Sequence, residues 1–132
     1  MATQELTAGN FVETIKHDGI TMVDFWAEWC GPCRQFSPIF EEASERHPDI
    51  TFGKVDTEAE RQLAAEANIT SIPTLMVFRE GILLYNRPGA LPGAGLEDLI
   101  TRVRELNMDE IRAEIEKQNA SIEESVSGEY SI

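Results

Sequence analysis

The sequence predicts an α/β domain, a central mixed β-sheet with helices on both faces. Three observations predict it. Strand-like apolar runs at 20–27, 51–55 and 74–78 alternate with stretches of helical period. The third run turns at Glu80-Gly81 into another at 82–85, which adds an antiparallel edge partner. Finally, 132 residues with 42% apolar content suffice for one domain with a modest core.

Taken in order, residues 10–17 form a short first helix with Phe11, Val12 and Ile15 turned inward, stopped at Gly19. Residues 20–27 then make a central strand. Phe36, Ile39, Phe40 and Ala43 recur at i, i+3, i+4 and i+7, the period of a helix that buries one face. A strand follows at 51–55. Thr57-Glu58-Ala59-Glu60 has the form of a capping box, opening a helix through Ala67 with Leu63, Ala64 and Ala67 inside. The run 74–78 is near-continuously apolar, as a strand buried on both faces should be. Residues 96–106 supply the last helix of a domain spanning 1–106. No internal repeat is present.

Residues 107–132 form a separate acidic extension. Asn107 and Glu110 have N-cap and capping-box positions, and Met108, Ile111, Ile115, Ile122 and Val126 share one narrow stripe. Leu106 points the other way, which places a break at Asn107. Seven acids against two bases give this segment −5 of the total charge of −13. Five apolar residues make no independent core. The segment is expected to be a surface helix that lies on its own domain or frays in solvent, or else a docking helix for a partner or a second copy of the chain, with 127–132 disordered. The pattern lasts under three heptads, so a coiled coil is disfavoured.

Charge and termini exclude several function classes. A net −13 argues against nucleic acid and anionic membrane surfaces as partners. No apolar run reaches membrane-spanning length, and residues 1–5 have no basic or apolar export signature. The expected location is the cytoplasm, where disulfides are transient and catalytic.

The chemistry concentrates at Trp29-Cys30-Gly31-Pro32-Cys33, which holds both cysteines of the chain. The pair sits at a strand-to-helix turn, with Cys30 just outside the helix and Cys33 in its first turn. Free N–H groups and the positive dipole end favour a thiolate there, the attacking species in sulfur exchange. Pro32 suits a helix opening because its missing N–H would find no intrahelical partner anyway. A structural disulfide across so short a loop removes little chain entropy. A zinc site needs two further ligands, and the only histidines, His17 and His47, stand at no finger-like spacing. A redox-active dithiol is the reading favoured for CxxC in this context.

The segment Phe25-Trp26-Ala27-Glu28-Trp29-Cys30-Gly31-Pro32-Cys33-Arg34 resembles the active-site segment of the thioredoxin family. Asp24, Lys54 in Phe52-Gly53-Lys54-Val55-Asp56, Ile72-Pro73-Thr74 and Gly89-Ala90 fall in that family's order, and the similarity covers about 5–106. It implies the thioredoxin fold and a protein-disulfide reductase with Cys30 as nucleophile and Cys33 as resolving thiol. It also implies Asp24 beneath Cys33 as proton acceptor and a cis Pro73 facing the disulfide; the competing reading of Asp24, compatible with that role, is a buried acid satisfied by its partner Lys54 on the neighbouring strand. An acid inside an apolar strand should have a raised pKa. Trp29, Gly31, Pro32, Ile72, Pro73, Gly89 and Ala90 are expected to form a flat, uncharged docking surface, with Ile72 pairing to extended substrate. Trp26 is expected to be structural and Arg34 solvated.

The implied partners are disulfide-containing client proteins and a thioredoxin reductase that uses NADPH and flavin. The chain has no Gly-rich dinucleotide fingerprint, so no cofactor or metal is expected on it beyond the Cys30–Cys33 disulfide. Two alternatives stand beside this reading. One is an oxidant or isomerase of the same fold, against which Gly31-Pro32 resembles the reducing members. The other is a binding module whose extension or flat patch holds a partner, the dithiol being secondary.

Overall fold

The structure is a computed structural model that describes residues 2–130, with side chains described through Ala120. In chain order the elements are β1 (Thr3–Glu5), α1 (Phe11–Ile15), β2 (Ile20–Trp26), α2 (Gly31–Arg46) and β3 (Thr51–Asp56). Then come α3 (Arg61–Glu66), β4 (Thr74–Arg79), β5 (Ile82–Pro88), α4 (Gly93–Glu105) and α5 (Met108–Tyr130). The five strands form one mixed sheet in the order β1-β3-β2-β4-β5. β1, β3 and β2 run parallel, whereas β4 is antiparallel to both β2 and β5.

Alternation along the strands sorts the core into two layers. On one face Ile20, Met22, Phe52, Leu75 and Val77 meet Phe36, Phe40 and Ala43 of α2 and Leu96, Ile100 and Val103 of α4. On the other, Leu6, Val23, Phe25, Val55, Met76 and Phe78 meet Phe11 of α1 and Leu63 of α3. Phe40 and Phe52 lock helix to sheet edge-to-face, 5.1 Å between ring centroids. Asp24 has the parity of Met22 and so lies on the α2 face. Its strand neighbours are Lys54 on β3 and Leu75 on β4. β3 passes close under Leu6, and a Cβ on Gly53 would overlap that side chain.

Several local expectations are corrected. β1 was not expected, because three polar residues on a sheet edge carry no apolar alternation. α1 is shorter than 10–17, and Val12 is 54% exposed rather than inward. The capping box at Thr57 does not form. Asp56 Oδ1 accepts from the Glu58 and Ala59 N–H groups, Thr57 Oγ1 donates to the Trp26 carbonyl, and α3 starts only at Arg61. α3 ends at Glu66, where Asn68 takes φ +57° and returns N–H groups to the last turn. α4 begins at Gly93, one turn before the expected Leu96.

The hairpin turn needs positive φ at both Glu80 (+56°) and Gly81 (+78°). Arg79, just before it, donates Nη1 to the carbonyls of Val103, Arg104 and Leu106. That closes the free carbonyl end of α4 and separates it from α5. Asn107 Oδ1 then accepts from the Glu110 N–H (3.2 Å) as the cap of α5. Met108 is buried, Ile111 and Ile115 are half-buried, and Arg112 pairs with Glu80 and Asp109. The side chains of Ile122 and Val126 lie outside the described residues. The helix is continuous to Tyr130, where disorder was expected from Ser127; residues 131–132 lie outside the described residues.

Candidate active site

β2 is buried through Phe25, and its last turn of chain delivers Cys30 to the N-cap of α2 in an extended conformation (φ −88°, ψ 114°). The Cys33 N–H donates to Cys30 Sγ at 3.2 Å, as an N-cap acceptor requires. Pro32 occupies the first turn, where a missing N–H costs nothing. Cys30 and Cys33 form a disulfide with Cα atoms 5.2 Å apart. Both are nearly buried, at 4% and 3% exposure. The first sulfur thus faces a free backbone donor and the positive end of a 16-residue helix.

Two distant loops come to this turn. The Ile72-Pro73 bond is cis, and the Ile72 carbonyl oxygen lies 3.6 Å from Cys30 Sγ. The Gly89 N–H donates to the Pro73 carbonyl at 2.8 Å, with φ +110° at Gly89, a conformation that favours glycine. Gly31, Pro32, Gly89 and Ala90 are exposed around the half-buried Ile72. Trp29 is 67% exposed, and its Nε1 donates to Glu58 Oε1 at 2.8 Å. Glu58 therefore steadies the tryptophan, a role its place in an apparent capping box hid. An open groove of about 340 Å³ runs beside Trp29 and Ile72, with Arg61, Ala64 and Ile69 on its far wall. Arg34 is exposed and donates Nε to the Glu28 carbonyl.

Asp24 lies on β2, the strand that leads into the turn. It is fully buried, and neither carboxylate oxygen has a hydrogen-bond partner. Burial pushes its pKa up to about 7; the Lys54 charge pulls it down and the Glu41 charge pushes it up. Lys54 was expected to partner Asp24 directly. Instead its Nζ donates to Ser37 Oγ (2.9 Å), stands 3.8 Å from Glu41 Oε1 and lies 5.0 Å over the Trp26 ring. It acts on Asp24 through space. Ser37 and Glu41 carried no sequence signal, since nothing in the helical period marks which polar residue on α2 meets β3. A cleft of about 130 Å³ beside this cluster is lined by Trp26, Cys33, Ser37 and Lys54.

No group of three or more His, Cys, Asp or Glu residues placed to hold a metal ion occurs among the described residues. None of the described helices is long and apolar enough to cross a membrane.

Comparison with known proteins supplies the family. The thioredoxin family profile matches residues 2–102. The chain is a member of the thioredoxin family. A Streptomyces coelicolor relative named thioredoxin 2 is 51% identical over 119 residues, 90% of this chain and 89% of that one. A match of that length extends past residue 106 into the acidic extension. The thioredoxin of Alicyclobacillus acidocaldarius is 40% identical over 73% of this chain and 92% of its own. Among solved structures, Plasmodium falciparum thioredoxin superposes with a TM-score of 0.69 at 34% identity, covering 76% of this chain and 98% of that chain. The fold is the thioredoxin fold, and the protein is a disulfide reductase that works by dithiol–disulfide exchange through Cys30-Gly31-Pro32-Cys33. The binding-module alternative is not favoured.

Proposed function

We propose that Cys30 is the attacking sulfur and Cys33 the resolving one. The observation that carries this is the N-cap position of Cys30, whose sulfur accepts the Cys33 N–H. In the reduced protein the Cys30 thiolate attacks one sulfur of a client disulfide. The client S–S bond breaks, a Cys30–client bond forms, and the client's other sulfur leaves as a thiolate that takes a proton. Cys33 then loses its proton and attacks the Cys30 sulfur, expelling the second client thiolate and leaving the Cys30–Cys33 disulfide. Two electrons pass to the client. Holding Cys33 three residues away makes this second step intramolecular and fast.

Asp24 is the acceptor of the Cys33 proton, directly or through water in the cleft beside Cys33 and Lys54. A carboxyl that titrates near 7 exists in both forms at neutral pH, the condition for efficient proton transfer. Lys54 moderates that carboxyl through space. Trp29, Gly31, Pro32, Ile72, Pro73, Gly89 and Ala90 form the docking face, with the Ile72 backbone pairing to an extended client strand. The partners are disulfide-bearing proteins and an NADPH- and flavin-dependent thioredoxin reductase, not nucleic acid or membrane. The compartment is the cytoplasm. Residues 1–106 are the catalytic domain and 107–132 an appended acidic segment.

The Cys33→Ser variant tests the roles. It should capture clients as thiol-reversible adducts through Cys30, whereas Cys30→Ser should capture none. Equal trapping by both variants would remove the assignment. Truncation after Leu106 should leave insulin reduction unchanged; a loss of rate would assign the segment to the active site.

A further inference from the structure

The buried oxygens without hydrogen-bond partners are three among the described residues: Asp24 Oδ1, Asp24 Oδ2 and Glu41 Oε2. All three belong to carboxylates that interact with the Lys54 ammonium. Unsatisfied buried polar atoms are rare and costly, so finding them together around Lys54 calls for a reason beyond packing. The strand register makes Lys54 the direct neighbour of Asp24, and its charge acts on that carboxyl. Its Nζ nonetheless turns to α2, where it meets Ser37 Oγ and Glu41 Oε1. Glu41 is itself held in place: Thr3 Oγ1, on the edge strand β1, donates to Glu41 Oε1 at 2.7 Å. Both side chains of the Lys54–Glu41 pair are about four-fifths buried, at 18% and 19% exposure, so solvent screens their attraction weakly.

We propose that Glu41 is a positioning residue for the disulfide chemistry: it anchors the Lys54 ammonium to α2 and so keeps it from closing an ion pair with Asp24. Without that anchor the holds left on Lys54 among the described residues are a neutral hydroxyl and the Trp26 ring. The ammonium then swings to the buried carboxylate and fixes it in the ionised form. The charged groups acting on Asp24 are Lys54 from β3 and Glu41 from α2; its strand neighbour on β4 is Leu75. Charge on Glu41 thus reaches the proton acceptor by two routes of the same sign, by restraining Lys54 and by direct repulsion. The edge strand β1 acquires a part in the chemistry through Thr3.

The inference rests on Asp24 being the proton acceptor, and the test separates the two. In the full-length oxidised protein the Asp24 carboxyl is titrated by carbon NMR, a readout independent of catalysis. Glu41→Gln keeps an acceptor for Thr3 and removes only the charge; the Asp24 midpoint should fall by about one pH unit. The pH–rate limb of disulfide reduction should move down with it. An unmoved or raised midpoint overturns the proposal. In a Lys54→Met background the same Glu41→Gln change should lower the midpoint by less; an equal or larger drop there also overturns it. If the limb survives unchanged in Asp24→Asn, the proton-acceptor reading fails instead, whatever Glu41 does to the titration.

Discussion

Asp24 and Asp49 lie toward opposite ends of the sheet and carry the same carboxyl group under opposite conditions. Asp24 is buried in β2 with no hydrogen bond, and burial raises its pKa to about 7. Asp49 lies in the loop before β3, its side chain 62% exposed, and accepts both Nη groups of Arg104 at 2.7 and 3.1 Å. The Arg104 hydrogen bonds hold its pKa below the ordinary range. His47 extends that second cluster: its Nδ1 takes an Arg104 N–H, so Nε2 carries the proton donated to Glu97. One region gives up stability to keep a carboxyl near neutrality, and the other satisfies every charge it can. The first fits the proton transfer proposed for Asp24, and the second holds α4 to the loop before β3.

The largest effect that would break this contrast is on activity. Cys30→Ser should reduce insulin disulfide cleavage to the uncatalysed background, whereas Arg104→Ala at the other pole should leave the rate intact. A catalytic loss in Arg104→Ala would mean the two regions are not separate.

Next in size is stability at Asp24. Its folded pKa is raised, so between about 3.8 and 7 the folded state holds a proton that the unfolded chain has released. Stability therefore falls as pH climbs through that window, and the penalty is complete above 7, about 4 kcal/mol at roughly 1.4 kcal/mol per unit. Asp24→Asn should stabilise the protein by an amount of that order near pH 8 and by little near pH 4, measured by urea unfolding. A pH-independent difference would contradict the titration assigned to Asp24.

How far sequence alone reached follows the same division. The strand–helix turn and the buried Asp24 were legible because they are written in contiguous residues, and the cis Ile72-Pro73 step through the family resemblance. Contacts across the fold were not. Glu58 meets Trp29 and Thr3 meets Glu41 only after folding, 29 and 38 residues apart in sequence. Thr57 was misread because the box pattern S/T-x-x-E also fits a strand end, where the Asp56 carboxylate and Trp26 carbonyl compete for the same groups. Lys54 was assigned to its strand neighbour because register is local, while the pull of Ser37 and Glu41 from a helix is not.

The smallest effect sharpens the exposed side of the comparison. Losing the Arg104–Asp49 pair in Arg104→Ala should cost under about 1 kcal/mol, less at high salt, because solvent screens it. Asp49's depressed pKa contributes stability above the ordinary carboxylate value and loses it as pH falls through the folded one, so the variant should differ from the parent mainly above that range. A cost of several kcal/mol would place Asp49 among the buried pairs.

The most direct measurement is the carbon NMR titration of the Asp24 carboxyl in the intact oxidised protein. The account predicts a midpoint near 7. A midpoint at the ordinary carboxylate value of 3.8 would contradict it.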